Sequence, residues 1–344
     1  MTSDRKPSRS RPNEAVPTIG DIESFALNGY VVMRGVLDER LLERAEDLMW
    51  EALGKNFDRD DSLTWRSVAT DCAGAIAVSD RYGKVKLREA VWGEPALDAL
   101  LTRNPVVFAM VERLLGAGNV LPPERSRGLY PTFPTPEHAK VPIHAHVDLP
   151  RLPFKVGVVA YLDDVPSGGG GFAVWPGSHR ALFSACADDP SSPANRRRRA
   201  FRKAIRDFDA HEPVEITGGA GDVILFHHLL MHAPTINTVE GHVRKAAFCN
   251  YATPSCAIDQ AGRRPSSLWH GWHGIDSLAS LAIEASKTPA PADTFARPRT
   301  IPARAAYVDQ IWRGVRKLSL GLKFRRILPE WKRVPSKASD AARR

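Results

Sequence analysis

Between Val141 and Pro150 the chain reads VPIHAHVDLP. His144, His146 and Asp148 alternate with small or apolar residues, so on an extended backbone their side chains project from one face. Two readings fit two imidazoles and a carboxylate placed this way: a solvated strand edge, or part of a metal site completed from elsewhere. The second reading needs an imidazole from a distant segment. GDVILFHHLLMHAPTINTVEGHVRKAAF supplies His227, His228 and His232 as candidates. His228 and His232 share strand parity, and His232 sits where the strand gives way to the turn APTINTVEG. Beyond that turn Arg244 is flanked by Val243, Ala246, Ala247 and Phe248, a setting in which a guanidinium needs an anionic partner. If the hairpin is symmetric about Thr238, His232 and Arg244 lie opposite one another on neighbouring antiparallel strands.

Two histidines and one carboxylate leave three positions open on an octahedral ion, the facial arrangement of non-haem Fe(II) oxygenases. Imidazole and carboxylate hold such an ion without filling its shell, which leaves room for a chelating co-substrate and for O2. A planar, permanently charged arginine can grip the far carboxylate of a dicarboxylic 2-oxo acid through two parallel hydrogen bonds.

The elements that must carry these residues follow from periodicity. IGDIESFALNGYVVMRGVLDERLLERAEDLMWEAL predicts helix, strand and helix, with Asn28-Gly29 at the turn and Asp38 capping the second helix. A further helical patch, PALDALLTRNPVVFAMVERLLG, ends at Gly116. Strands follow: FKVGVVAYLDDV, FAVW, EPVEI, GDVILFHH and RKAAFCNYA, separated by turns that include PSGGGG. Helices first and short strands afterwards predict a mainly β core with flanking helices, a double-stranded β-helix (jelly roll) of the cupin type. Residues 187–212 form a basic insert in which Phe201, Ile205 and Phe208 share a helical face among arginines. It reads either as a solvated amphipathic helix or as a lid whose cations meet an anionic substrate group.

Composition narrows the class. The chain has 344 residues, 43% hydrophobic and 25% charged, as in an ordinary globular protein, and no apolar run long enough to span a bilayer. Residues 1–18 read as a disordered leader without the apolar segment of a secretory signal. Cys72, Cys186, Cys249 and Cys256 lie far apart and show no CxxC spacing, which fits a reducing cytoplasm rather than a disulfide framework. The formal net charge is +9, and the stretch from Arg304 to Arg344 alone holds twelve Lys and Arg against three Asp and Glu. The basic pI therefore belongs to an appendage and is no sign of a nucleic-acid-binding core. Within residues 301–344, Val308, Ile311, Val315, Leu318 and Leu322 fall on one helical face. Such a basic amphipathic helix can pack on the core, lie on an anionic membrane surface, or dock an acidic carrier protein.

NGYVVMRGVL, His146-x-Asp148, AYLDD, GGFAVWPGSHR and GDVILFHHLLMHAPTIN followed by Arg244 together resemble the phytanoyl-CoA dioxygenase (PhyH) family of Fe(II)/2-oxoglutarate-dependent oxygenases. Singly each motif is weak. Their order, and the 86 residues from His146 to His232, make the combination specific. The resemblance covers about two thirds of the chain, from Ile19 to Ala252, within an oxygenase domain taken as 19–300. It implies His146, Asp148 and His232 as catalytic Fe(II) ligands, Arg244 on the distal carboxylate of 2-oxoglutarate, and a jelly-roll core. It leaves His144 as a neighbour of the site, and His179 in PGSH as either a supporting residue near the mouth or a structural turn. Tyr130 and Trp175 have two readings, lining of the pocket or core packing, and core packing is preferred for each. Ala246 stands where many such enzymes carry Ser or Thr, and the intact Asp148 favours hydroxylation over halogenation. The expected activity is hydroxylation of an unactivated C–H bond in a small molecule, lipid or natural product, with desaturation and ring closure open. The rivals are a metal-dependent enzyme on the same scaffold that does not use 2-oxoglutarate, and a non-catalytic module with a vestigial site.

Overall fold

The computed structural model describes residues 16–67, 83–135, 140, 142–148, 154–187, 194–256 and 267–275. Most of the leader and the whole extension 301–344 lie outside these residues. In chain order the main elements are α1 (Ile19–Asn28), β1 (Tyr30–Met33), α2 (Glu39–Leu53), α3 (Pro105–Leu115), β2 (Gly128–Leu129) and β3 (Val156–Tyr161). Then come β4 (Phe172–Val174), α4 (Ser178–Ala187), α5 (Ala194–Asp209), β5 (Val214–Ile216), β6 (Val223–His227), β7 (His232–Pro234) and β8 (Ala246–Tyr251). Among the described residues no helix is long and apolar enough to cross a membrane.

The strands form two antiparallel sheets, ordered β1-β6-β3-β8-β2 and β5-β4-β7. β3, β6 and β8 are largely apolar because both of their faces are covered. Val156, Val158 and Ala160 of β3, with Val223 and Leu225 of β6 and Ala247 and Cys249 of β8, face the layer made by α1, α2 and α3. The alternate residues Val159, Tyr161, Ile224, Phe226 and Ala246 face the smaller sheet, where Phe172, Val174 and Ile216 meet them. Period two along each strand thus builds two cores at once. Gly157 on β3 makes room for one of them: a Cβ there would stand 2.1 Å from the Phe226 ring. The outer face of the smaller sheet, with Ala173, Trp175 and Ala233, is closed by Leu182 of α4 and by Phe201, Ile205 and Phe208 of α5. The protein is a jelly roll with helices on both outer faces.

The single helical patch expected from Pro95 to Gly116 is broken. Pro95–Leu97 and Asp98–Thr102 are separate turns, and α3 starts anew at Pro105. The Asn104 side chain accepts from Val106 N and Val107 N, a cap that defines a new helix start, and Pro105 fits the first position of that start. The NGY and PGSH motifs meet each other rather than the site. Gly29 takes φ 84°, and a Cβ there would lie 2.6 Å from Nδ1 of His179. Gly177 N donates to Asn28 O, and His179 Nε2 donates to Ala26 O. His179 is buried among α1, β6 and Trp269. It is a structural tie, not a residue of the mouth.

Candidate metal centre

His146 and His232 come together through their backbones. Each donates its N–H to the other's carbonyl, at 3.0 and 2.9 Å, in an antiparallel bridge that adds His146 to the β7 edge of the smaller sheet. Directly paired residues share a face, and the ring centroids lie 4.6 Å apart. Asp148, two residues beyond His146, falls on the same face. Its Oδ1 is 3.9 Å from His146 Nε2 and its Oδ2 is 3.8 Å from His232 Nε2. One ligand atom from each residue lies within 4.8 Å of the others. A first-row ion with ligands at about 2.1 Å spans about 3.0 Å between cis ligands and 4.2 Å between trans ones, so a small inward movement closes the set.

The imidazoles are prepared for this. His232 Nδ1 lies 2.9 Å from Leu230 O; a carbonyl only accepts, so Nδ1 carries the proton and Nε2 presents its lone pair. The ring is wedged between Phe172 and Phe226, with centroids at 5.2 and 5.0 Å. Burial lowers the pKa of both His146 and His232, which keeps the rings neutral. For Asp148 burial works in the opposite sense and would raise the carboxyl. Electrostatic attraction to His232 and to the Arg127 guanidinium, with the Arg127 hydrogen bond, outweighs it and holds the group well below the usual carboxylate range. His232 is enclosed at 6% side-chain exposure, while His146 retains 40%, so the cluster opens on the His146 side.

That opening is a cleft of about 140 Å³. Arg244 lines it and is itself only 2% exposed. Its Nε donates to Gly170 O and its Nη1 to Tyr130 O, both at 2.9 Å, which fixes the guanidinium. The hairpin expected to set Arg244 opposite His232 does not exist. His232 pairs with Val174 and His146 in the smaller sheet, whereas Arg244 pairs with Thr132 at the margin of the larger one. The two face each other across the sandwich, because the chain changes sheets between β6 and β7 and changes back between β7 and β8. The shared parity read for His228 and His232 fails for the same reason. His227 continues the Val223–Leu225 face of β6 toward the helices, and His228 stacks toward Trp272.

One other preferred reading needs correction. Tyr130 is not simply core packing: it lines the cleft, where its Oη accepts from Arg88 Nε and it packs edge-on against Phe248. Trp175 is core, with Nε1 donating to His211 O. His144 lies outside both the cluster and the residues that line the cleft. Arg127 went unnoticed in the sequence, yet its Nη1 donates to Asp148 Oδ2. Nothing in RSRGLY marks it. Lys84, Lys86 and Arg88 also line the cleft, and their alternation in GKVKLR was a signal that could have found them.

The family model of phytanoyl-CoA dioxygenase (PhyH) matches residues 25–246. Among solved structures, SnoK, a non-heme alpha ketoglutarate dependent carbocyclase from nogalamycin biosynthesis, is 17% identical; the match covers 74% of this chain and 93% of that one, with a TM-score of 0.51. At that identity the likeness is one of fold. HygX from Streptomyces hygroscopicus, crystallised with nickel, 2-oxoglutarate and hygromycin B, is 16% identical over 69% of this chain and 88% of its own, with a TM-score of 0.44. No curated protein matches the chain.

Proposed function

The chain belongs to the phytanoyl-CoA dioxygenase family, and from that premise we propose that it is an Fe(II)- and 2-oxoglutarate-dependent dioxygenase that hydroxylates an unactivated C–H bond of a small-molecule, lipid or natural-product substrate. The observation that carries this reading is one cleft holding His146, Asp148 and His232 on one wall and a buried, oriented Arg244 on another. Two neutral imidazoles and an ionised carboxylate suit a borderline divalent ion such as Fe(II). When bound, iron with 2-oxoglutarate and O2 supplies the oxidising power, at the cost of converting the co-substrate to succinate and CO2.

The chain's own residues do the positioning. His232, locked by Leu230 O and two phenyl rings, presents Nε2 in a fixed direction. Asp148 stays ionised and so supplies the one negative charge of the ligand set. Arg244, aimed by Gly170 O and Tyr130 O, receives the distal carboxylate of the co-substrate as a planar fork. Phe172 and Phe248 line the space between and keep water from the reacting groups.

The test is succinate release under Fe(II), O2 and 2-oxoglutarate, together with a mass gain of one oxygen in a substrate screen. Arg244→Ala is expected to raise the KM for 2-oxoglutarate at least tenfold, in line with loss of a charge-assisted pair, and to leave metal affinity within threefold. Metal binding without any 2-oxoglutarate turnover would favour the rival on the same scaffold. A folded protein that takes up no Fe(II) would leave only the non-catalytic module. Location in the cytoplasm, and a membrane or carrier-protein contact through residues 301–344, stay proposals from the sequence, to be checked by deleting that segment.

A further inference from the structure

Arg127 reaches the metal cluster from the opposite wall. Its backbone N–H donates to Phe248 O at 2.8 Å, at the end of the β2–β8 ladder in the larger sheet. Asp148 lies two residues beyond the bridge that joins His146 to the smaller sheet. The bond from Arg127 Nη1 to Asp148 Oδ2 therefore spans the sandwich. Regular alternation would not bring the guanidinium there. Arg127 and Leu129 should share a face, and Leu129 belongs to the helix-side core, yet Arg127 lines the cleft together with Tyr130. Gly128 stands between them at φ 117°, and a Cβ on it would lie 2.1 Å from Leu87 O. That left-handed residue breaks the alternation and lets Arg127 turn inward.

The two oxygens of Asp148 are engaged differently. Oδ2 accepts from Arg127, whereas Oδ1 accepts no hydrogen bond among the described residues and lies 3.9 Å from His146 Nε2. The side chains of Arg127 and Asp148 are largely enclosed, at 20% and 15% exposure, so water competes little for their bond. A charge-assisted bond of this kind fixes the rotation of the carboxylate about its own axis. That rotation decides how many coordination positions the group fills. With both oxygens on an ion, Asp148, His146 and His232 would occupy four of six octahedral positions, and a chelating 2-oxo acid would take the other two. With one oxygen on the ion, three positions stay open, and one of them is left for O2.

We propose that Arg127 is a positioning residue: by holding Oδ2 it limits Asp148 to one oxygen on the ion, and so keeps a position open beside 2-oxoglutarate. This role rests on the dioxygenase reading, since only a site that takes both a chelating co-substrate and O2 needs the third open position. Arg127 itself touches neither the co-substrate nor the ion; it acts through the carboxylate it holds.

Infrared difference spectra of Fe(II) binding, taken without O2 on the full chain isotopically labelled in its aspartates, read this role. The antisymmetric and symmetric carboxylate stretches stand far apart when one oxygen binds a metal, and close together when both do. Wild-type protein is expected to show the wide separation and Arg127→Met the narrow one. Arg127→Lys, which restores a charged donor, is expected to return to the wide one. Nitric oxide, a stand-in for O2, is expected to bind Fe(II)-loaded Arg127→Met at saturating 2-oxoglutarate at least tenfold more weakly than wild type, while 2-oxoglutarate affinity stays within threefold. If Arg127→Met does not fold, Arg127→Gln, whose amide ends two bonds short of Nη1, is read in the same way. A narrow separation in wild type, or a wide one in Arg127→Met, would overturn the proposal. A wide separation with Fe(II) affinity down about 10- to 100-fold, the cost of losing a group that merely supports a ligand, would leave Arg127 as such a support. A wide separation with a tenfold loss of 2-oxoglutarate affinity would place Arg127 on the co-substrate instead. The expected infrared pattern in a chain that binds no 2-oxoglutarate would keep Arg127 as the residue that sets one-oxygen binding and sink the dioxygenase reading.

Discussion

His146 and His232 cluster with Asp148 on one wall of an open cleft, whereas His179 and His227 pack against Trp269 and Trp272 inside the core, with half-buried His228 beside them. The imidazole pairs are equally close in both places: ring centroids lie 4.6 Å apart for His146 and His232, and 4.3 Å apart for His227 and His228. What differs is the third partner. At the cleft it is a carboxylate. In the core it is the Trp272 indole, which lies 4.8 Å from the His227 ring and within 11° of parallel to it. Proximity of histidines therefore does not make a metal site. A negative charge and a face open to ligands do. Without them the same side chains serve as flat, neutral packing, and burial keeps them neutral: it pushes His179 and His228 down to about 3, and His227 well below its ordinary value.

The sharpest way to break this comparison is to remove one member from each cluster and measure Fe(II) binding anaerobically. Asp148→Ala is expected to weaken it more than about 100-fold, since loss of groups that merely support metal ligands already costs 10- to 100-fold. His228→Ala is expected to leave it within threefold and to lower thermal stability instead, because it opens a hole in an aromatic stack. Metal affinity falling equally in both variants would show that the core histidines take part in the site.

Acid separates the two regions by a smaller margin. An unfolded chain protonates its histidines below about pH 6.5, while the folded chain keeps His179 and His228 neutral down to about pH 3. Between those values the unfolded state holds more protons, so stability, complete above about pH 6.5, declines as the pH falls. Each such histidine contributes about 1.4 kcal/mol per pH unit in that window. His227→Phe keeps the flat ring and removes one titrating group. Urea unfolding of the metal-loaded protein between pH 7 and pH 5 is expected to show a shallower decline for this variant. Parallel curves would mean that the core ring at 227 is charged, or is reached by water, in the folded state.

These contrasts show what the residue string could and could not convey. The His146–Asp148 pairing was legible because period two holds on any extended segment, whatever surrounds it. The strands, helices α1 and α2 and the apolar face of α5 were legible for the same local reason. The route from β6 to β7 was not. Nothing in HHLLMH announces that the chain leaves one sheet for the other, so His228 seemed as well placed as His232, and a hairpin seemed to join His232 to Arg244. Both errors come from assuming one strand where tertiary packing makes two. Arg127 was hidden because its importance lies in a partner 21 residues away on a separate segment. Tyr130 was hidden because an aromatic that lines a cleft and one that fills a core look alike in sequence.

The smallest expected effect concerns how the cleft keeps Arg244 aimed, by means that the histidine core does not need. Gly170 O, which accepts from Arg244 Nε, belongs to the loop Gly168–Gly171, and that loop hangs on Glu215. The Glu215 carboxylate accepts from Gly168 N at 2.9 Å, from Gly171 N at 2.9 Å and from the Thr235 hydroxyl at 2.7 Å. Every partner is a donor. Glu215→Gln must therefore turn an amide N–H toward another donor whichever way the amide is flipped. One charge-assisted bond is lost and the loop is free to shift, which spoils the angle of the guanidinium rather than its charge. The KM for 2-oxoglutarate is expected to rise about three- to tenfold, the part of a charged hydrogen bond that depends on geometry, with Fe(II) affinity unchanged. Thr235→Val, which takes away one donor and leaves the carboxylate, is expected to have less effect. An unchanged KM in a folded Glu215→Gln protein would mean that Arg244 is aimed without the help of Gly170 O, and that the glycine loop closes the sandwich without steering the site.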